Sequence, residues 1–409
     1  MNKRFAPAYL LTLVNVLGFS ILMPILPFVV EDYGAPKWVF GLLLTLYSAF
    51  QFIGAPFLGT LSDSMGRKPI LLVSQAGTLF SWIIFVIALS LPETPIWGLM
   101  LPLWIIILSR IIDGLTGGNT AVANAYIADI TTRKEKSYIF GYLGGIAGIG
   151  MIIGPGIGGL AASTSYGYMG TMFFAILISV LTLITIIFWL KESHPIENRS
   201  KRKKQSITKT FFILRRIREV NPAPIIKTLL VLKLFFSSMM AFYIATISLF
   251  LIDLFEFDVQ HLGYFMFAGG GFLAFNQAFL SRLFIKKFGE YRTLLLGLGL
   301  CAVGLVCLTI MDSLGPFIAF YYILNLGLSL CFPTFNALLS IHANPKKQGE
   351  IMGISESINS FAMATFPVIS AAIYGVIGFE LYLGLSLMPL IALLIALFTY
   401  KRLGAAVRV

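Results

Sequence analysis

Apolar residues run along this chain in stretches of about twenty, and the polar positions gather in short gaps between them rather than alternating through the runs. A continuous apolar run of ~20 residues is what a helix needs to cross a ~30 Å hydrocarbon layer, whereas a spanning β-strand is shorter and alternates. Twelve runs are readable, at roughly 6–30, 38–62, 69–90, 99–127, 137–162, 168–190, 225–252, 261–285, 291–312, 315–341, 350–377 and 380–400. The pattern predicts an all-α polytopic membrane protein with twelve transmembrane helices. A long hydrophilic stretch divides the runs six and six, which gives an N-terminal bundle (1–190), a basic cytoplasmic loop (191–224) and a C-terminal bundle (225–409). The first run follows Lys3 and Arg4 and has the outline of a signal peptide. Pro24, Pro27 and the lack of a small-residue cleavage site favour a retained helix.

Composition narrows the function classes. The chain is 58% apolar and 12% charged, against ~45–50% and ~25% for a soluble domain, so it cannot cover a water-facing surface and is not a soluble enzyme. A net charge of +12 would suit a nucleic-acid partner, but its distribution excludes one. Basic residues fill every second gap: Lys3/Arg4, Arg67/Lys68, Arg133/Lys134/Lys136, the 191–224 loop, Lys286/Lys287/Arg292, Lys346/Lys347 and Lys401/Arg402. The intervening gaps hold Lys37 among Glu31, Asp32, Glu93, Asp253, Glu256, Asp258, Asp312 and Glu380. The positive-inside rule then puts both termini and the central loop in the cytoplasm. Within that loop, Lys201-Arg202-Lys203-Lys204 is a solvated charge run. Ile207 to Val220 sets Phe211, Leu214 and Ile217 on one face with Lys209 and Arg216 opposite and Arg218 intruding, the pattern of a basic helix at the membrane surface. Cys301, Cys307 and Cys331 lie inside apolar runs without ligand spacing, so no metal is expected. No cofactor is expected either. No G-x-x-x-x-G-K-[ST] exists for ATP, and Gly154, Gly156 and Gly159 spell G-x-G-x-x-G with no preceding strand and with Pro155 inside.

An internal duplication is legible by subtraction. An offset of 212 takes Asp113 to Asn325, Asn124 to Asn336, Gly141 to Gly353 and Pro155 to Pro367. An offset of 223 takes Met65-Gly66 to Phe288-Gly289 and Asp63 to Lys286. Half-repeats of this kind are common in transporters.

Polar groups inside the runs are the candidate chemistry, because ionisable residues are expensive in hydrocarbon and face a cavity or a partner. Arg110, Asp113, Gly117, Thr120 and Asn124 fall at i, i+3, i+7, i+10 and i+14 of the fourth run, on one helical face. Two readings stay open for the Arg110/Asp113 pair: a structural ion pair, or a site of substrate binding and proton coupling. The repeat offers Tyr322, Asn325, Ser329 and Asn336. Asn15, Gln51, Gln75, Lys233, Asn276, Gln277, Glu356 and Asn359 complete the intramembrane set, with Glu356 and Asn359 on one face of the eleventh run. Lys233, ~12 Å into the seventh run by helical rise, can either snorkel or face a cavity. His194, His261 and His342 sit in loops or at a run's end and are weaker proton carriers. The candidate substrate ligands are Asn15, Gln51, Arg110, Asp113, Asn124, Lys233, Gln277, Asn325, Asn336, Glu356 and Asn359. Asp113 and Glu356 are the candidates for proton exchange.

Three motifs add to this. In Gly59-Thr60-Leu61-Ser62-Asp63-Ser64-Met65-Gly66-Arg67-Lys68-Pro69, Gly59 allows close helix approach and Gly66 a tight turn, and Asp63 and Arg67 can form a charge pair that breaks when helices move. Arg110-Ile111-Ile112-Asp113-Gly114 continues to Ala125-Tyr126-Ile127-Ala128-Asp129-Ile130. Gly150, Gly154 and Gly158 form a smooth packing stripe beside Pro155 and Gly159, and Pro155 frees a backbone carbonyl. The first loop matches G-x-L-x-D-x-x-G-R-K, and the chain resembles the major facilitator superfamily over its whole length. The other two blocks resemble its drug:proton antiporter branch. Met23-Pro24-Ile25-Leu26-Pro27, Tyr47-Ser48-Ala49-Phe50-Gln51 and Gln277-Ala278-Phe279 are most similar to the tetracycline-antiporter-like group.

The resemblance implies a major facilitator fold: two pseudo-symmetric six-helix bundles that rock around a substrate held near the midplane. It implies a monomeric secondary transporter of the inner membrane, surrounded by lipid, that exports a small organic molecule by alternating access in exchange for protons. The loop of Gly59, Asp63, Gly66 and Arg67, with Asp129, would act as the gate. The chain departs from the group at four positions, where Asn15, Ser81 and Cys301 stand for aspartates and Leu273 for a histidine; Asp113 and Glu356 are the acids available instead. The alternatives are an importer or facilitator of an anionic metabolite or siderophore, using Arg110 and Lys233, and a lipid flippase or non-transporting membrane protein. A sensor would be expected to carry an appended soluble domain, which the sequence does not show.

Overall fold

The computed structural model describes residues 6–132, 136–199, 213–344 and 347–403. Lys3, Arg4, Arg133, Lys134, the Lys201–Lys204 run, Lys209, Phe211 and Lys346 lie outside the described residues. The chain is almost entirely helical, and the twelve apolar runs become twelve transmembrane segments in the order expected. The first is interrupted: α1 (Ala6–Ser20) gives way at residues 21–25 to α2 (Leu26–Asp32), where Pro24 and Pro27 stand. Two full helices, α3 (Trp38–Met65) and α4 (Arg67–Leu89), follow and meet at Gly66. A two-residue antiparallel hairpin, β1 (Pro95–Ile96) and β2 (Leu99–Met100), leads into α5 (Leu101–Gly117), α6 (Thr120–Ile130), α7 (Lys136–Ala162) and α8 (Tyr168–Trp189).

Beyond the loop lie the short basic helix α9 (Ile213–Val220) and the long α10 (Pro224–Phe255). The eighth segment is compound: α11 (Val259–Phe275), a π-helical turn (Asn276–Leu280) and α12 (Ser281–Phe288). It is followed by α13 (Glu290–Leu308), α14 (Leu314–His342), α15 (Gln348–Ile377) and α16 (Leu381–Leu403). Among the described residues, nine helical stretches are each long and apolar enough to cross a membrane, one of them, Gln348–Thr399, running through both α15 and α16. The interrupted first and eighth segments complete the set.

Many large apolar side chains are exposed, among them Phe188 at 75% and Phe398 at 76%. In water such a surface would aggregate; in lipid it is the solvated surface. At the hairpin, Trp97 is 90% exposed and packs edge-on to Trp104, whose Nε1 donates to the Ile96 carbonyl at 2.8 Å. Such aromatic groups suit the membrane–water interface.

Two compact units divide the chain: Met1–Thr210 with Phe257–Phe267, and Phe211–Glu256 with Ala268–Val409. Each is held by backbones brought close at small residues, since apolar side chains gain little from leaving lipid for one another. In the first unit α7 packs on α1. A Cβ at Gly154 would lie 2.0 Å from Ser20 Oγ, and one at Gly158 would lie 2.2 Å from the Ile21 carbonyl oxygen. Ser20 Oγ donates to the Gly150 carbonyl at 3.0 Å, five residues before Pro155, so a polar group crosses between the same two helices. Gly159 packs on Gly263 and Gly156 on Phe267, both from the α11 segment grouped with this unit. Gly59 does not fill the packing role expected of it, because a Cβ there meets nothing within 4 Å. The close contact on α3 is made at Gly54, against the Leu115 carbonyl. In the second unit, Gly297 and Gly327 let α13 and α14 close on Cys331 and Cys301.

Gly66 and Gly289, paired by the 223-residue offset, hold the same role. Each has positive φ (103° and 76°) and each closes a helix by donating its N–H four residues back, to Ser62 and Ile285.

Gly158→Ala is expected to lower folded yield and thermal stability, because its new methyl meets a backbone oxygen that cannot rotate away; overpacking of this kind costs ~1–3 kcal/mol. Gly148→Ala, where a Cβ meets nothing within 4 Å, serves as the control. Equal melting temperatures for the two variants would show that α1 and α7 do not depend on this contact.

Candidate functional site

The α3–α4 junction is built by charge and backbone together. Asp63, near the end of α3, is one helical turn before Arg67, the first residue of α4, and Gly66 reverses the chain between them. Arg67 is 6% exposed; its Nη1 lies 2.5 Å from Asp63 Oδ1 and 2.6 Å from Ser62 Oγ, and its Nε lies 3.0 Å from Asp129 Oδ2 at the end of α6. Ser193 donates to the same Asp129 oxygen at 3.2 Å. One buried guanidinium therefore ties three segments together.

The sequence reading missed the partner of this lock. The N-terminus of α4 carries no acidic residue in its first turn, so its free N–H groups need an acceptor from elsewhere. Glu192, just past α8, supplies it: the Arg67 N–H donates to Oε1 at 2.9 Å and the Lys68 N–H to Oε2 at 3.1 Å. Lys68 Nζ returns the contact, donating to the Ile187 carbonyl near the end of α8 at 2.8 Å. The two antiparallel helices thus cap each other with the charge each terminus favours. A Cβ at Gly66 would lie 2.6 Å from Glu192 Oε2 and 2.7 Å from Arg199 Nη2, so the glycine makes room for the cap as well as the turn. Partial burial pushes the Glu192 carboxyl up, but the N–H groups of His194, Arg67 and Lys68 and the Arg199 charge outweigh it, so its pKa lies below the ordinary glutamate value.

Deeper in the first unit, Arg110 Nη1 pairs with Asp113 Oδ2 at 3.1 Å, and the two residues are 2% and 3% exposed. The Arg110 guanidinium lies 4.8 Å from the Trp82 ring and 5.4 Å from Phe85, and Ser109 Oγ accepts from Nη2 at 3.2 Å. Thr78 and Ser81 hydroxyls flank the Asp113 carboxylate. Arg110 Nε has no hydrogen-bond partner among the described residues. Trp82 also lines a narrow apolar crevice with Val14, Leu17, Gly18, Ile21, Ala175, Ile178 and Ser179; none of the expected ligands lines it.

The polar stripe expected along the fourth segment is divided. α5 ends at Gly117 and α6 begins at Thr120, and while Arg110, Asp113 and Gly117 are buried, Thr120 and Asn124 are exposed. The break brings Asn119 against α1, where Asn15 Nδ2 donates to Asn119 Oδ1 at 2.6 Å. Gln51 Nε2 donates to the Gly117 carbonyl at 3.2 Å, an acceptor at the end of α5. Gln51 therefore meets a backbone acceptor at the break, while Asn15 pairs with the side chain of Asn119 beside it.

In the second unit Asn325 is buried, its Nδ2 donating to the Gly269 carbonyl at 3.0 Å, while Asn336 is exposed. Tyr322 OH donates to Asn276 Oδ1 at 3.0 Å at the start of the π-helical turn that also carries the half-buried Gln277. Glu356 is exposed, with Asn359 Nδ2 at 3.4 Å from its Oε1. Lys233 is 6% exposed.

The family model described as Major Facilitator Superfamily matches residues 8–367. The chain belongs to the major facilitator superfamily. Like other members it is an integral membrane secondary transporter that works by alternating access. It is 29% identical over 380 residues to the tetracycline resistance protein, class B, of Escherichia coli, covering 91% of this chain and 89% of that one. It is 27% identical over 401 residues to the quinolone resistance protein NorA of Staphylococcus aureus, covering 97% of each. The crystal structure of the human organic anion transporter MFSD10 (TETRAN) shares the fold, with a TM-score of 0.71 at 21% identity over 96% of this chain and 99% of that one. In this family member Asp63, Gly66, Arg67 and Asp129 meet at one junction, and Glu192 joins them from a part of the chain to which the sequence reading assigned only basic charge.

Because the folded pKa of Glu192 is depressed, its cap adds stability above the ordinary glutamate pKa and loses it as pH falls through the folded value. Glu192→Gln is therefore expected to melt below the native chain at pH 7, with the gap closing as pH drops past about 4. A gap that does not change with pH would mean that the carboxylate charge plays no part.

Proposed function

We propose that the chain exports a small organic molecule from the cytoplasm in exchange for protons, as a monomer in the inner membrane with both termini and the central loop cytoplasmic. The observation that carries this reading is the Arg110–Asp113 pair, 3.1 Å apart and nearly excluded from solvent inside a membrane segment. An ion pair in such a place is costly to keep and has little structural return, since an apolar pair of similar volume would serve as well. Its retention is understandable if Asp113 changes protonation during the cycle, with Arg110 as the counter-charge in the deprotonated form. Glu356, exposed on a different helix, is the second carboxylate able to exchange a proton. The similarity to proteins named for tetracycline and quinolone resistance supports amphipathic drug-like substrates and the outward direction.

The substrate ligands on this reading are Arg110, Lys233, Gln277, Asn325, Asn336, Glu356 and Asn359, with Asn124 at the exposed end of the fourth segment. Asn15 and Gln51 contribute by holding the break in that segment. The junction of Gly59, Asp63, Gly66, Arg67 and Asp129 serves as the gate: the Arg67 contacts are made in one arrangement of the helices and given up in another.

Energised everted vesicles carrying a ΔpH-reporting dye test this, challenged with a panel of drugs, lipophilic cations, polycarboxylates and siderophores. A compound-dependent collapse of the gradient is expected, reduced to background by Asp113→Asn and by Glu356→Gln. Since Asp113→Asn leaves a buried arginine unpaired, Arg110→Gln/Asp113→Asn is run beside it; it is expected to insert and fold yet exchange no protons. Undiminished transport after neutralising both acids would overturn the coupling scheme.

A further inference from the structure

One charge of α9 is turned away from the polar face on which the sequence pattern sets it. Arg215, Arg218 and Glu219 are exposed, and Arg215 Nε pairs with Glu219 Oε1 at 2.9 Å. Arg216 is half-buried and turns instead to α15, where its Nη1 donates to Ser357 Oγ at 3.0 Å. Among the described residues no carboxylate stands at ion-pair distance from it. Ser357 lies ~14 Å into α15 by helical rise, so the guanidinium reaches well along that helix. The place it enters is shaped for it. Gly353, one turn before Ser357, leaves a notch: within 4 Å, a Cβ there would meet only Arg216 Nη2, at 3.2 Å. Ser357 donates its own proton to the Gly353 carbonyl at 2.8 Å, so its oxygen faces Arg216 as an acceptor. Gly353 is a glycine that the internal repeat singles out and that the transport scheme does not use.

The far end of α9 is tied to the start of the same helix. Lys347, the residue before α15, donates from Nζ to the carbonyl of Val220, the last residue of α9, at 2.9 Å. Asn221 takes the left-handed conformation (φ 41°) and returns its N–H to the Ile217 carbonyl at 3.0 Å, while Lys227 Nζ donates to its side chain at 3.1 Å. A helix of eight residues does not hold itself together in water. α9 is therefore helical because α15 holds it, and in return it splints α15 from Lys347 to Ser357. Glu356 stands beside Ser357 on the splinted stretch.

We propose that Arg216 is a positioning residue for transport: seated in the Gly353 notch it holds the first half of α15, and with it Glu356, in this arrangement, and it leaves the notch in every turnover. Alternating access requires helices to change neighbours, and α9 is built to let go. Once Arg216 withdraws, the short helix loses the contact that keeps it folded, so release of the notch and unfolding of α9 are one event. The proposal goes beyond the export reading and rests on it only for the part played by Glu356.

Hydrogen exchange of the full chain in lipid nanodiscs reads the splint directly. Arg216→Gln is expected to speed exchange about tenfold in both 213–220 and 348–357, the worth of one hydrogen bond to a charged group, and Arg216→Lys to do so by less. Gly353→Val fills the notch without touching α9 and is expected to have the same effect as Arg216→Gln. Faster exchange in α9 with α15 unchanged, or no change in either segment, would overturn the proposal. Release is tested in Arg216→Cys/Gly353→Cys, where a short bis-methanethiosulfonate reagent takes the place of the guanidinium. In the vesicle assay this chain is expected to transport until cross-linked, to stop when the link closes, and to recover when dithiothreitol cleaves it; the reagent is expected to change nothing in either single-cysteine chain. Failure of the two cysteines to cross-link, or transport undiminished with the link closed, would also overturn it. If no compound moves protons through the native chain, the export reading falls and the exchange experiment alone decides the positioning role.

Discussion

Hydrocarbon offers no hydrogen bonds and no reward for packing one apolar side chain on another, and the rest of this structure follows from that constraint. Wherever a helix is interrupted, something polar must meet the exposed backbone. At the break between α5 and α6, Gln51 meets the Gly117 carbonyl and the Asn15–Asn119 pair braces the turn. Near Pro155 the Ser20 hydroxyl crosses to the Gly150 carbonyl. Between helices, contact is made where side chains are smallest, so that backbone meets backbone at Gly54, Gly158 and Gly327. Polar residues in the segments thus divide into those that satisfy backbone groups and those that do not.

That division limited what could be read beforehand. The twelve segments and the paired turns at Gly66 and Gly289 were legible because hydrophobic run length and turn glycines are local signals. So was the Asp63–Arg67 pair, since a four-residue spacing across a turn brings the charges together without help from the fold. The roles of Asn15 and Gln51 were not legible. Both look like ligands in a one-dimensional listing, and only the placement of Gly117 and Asn119 beside them shows that Gln51 meets the Gly117 carbonyl and Asn15 the Asn119 side chain. The fourth segment misled for a related reason: residues separated by multiples of a helical turn share a face only while the helix continues, and Gly118-Asn119 interrupts it.

Glu192 was hidden by distance. It lies 125 residues from Arg67 in sequence, inside a stretch dominated by positive charge. A reader who had asked what satisfies the N-terminus of α4, which has no acid of its own, could have searched the cytoplasmic gaps for a carboxylate. Lys233 posed the opposite difficulty. Its position suggested either snorkelling or a cavity role, and the phenyl rings around it, those of Phe236, Phe332 and Phe335, come from two helices far apart in the chain.

The reciprocal capping of α4 and α8 also bears on how the molecule can be engineered. Glu192 follows α8 by only a few residues and is held at both carboxylate oxygens, so the chain from Leu190 to Glu192 acts as a short tether. A reporter, affinity tag or cleavage sequence placed between Trp189 and Glu192 would shift the register of the tether and withdraw the cap from α4. The same cargo placed after Arg199 would leave the tether's length unchanged.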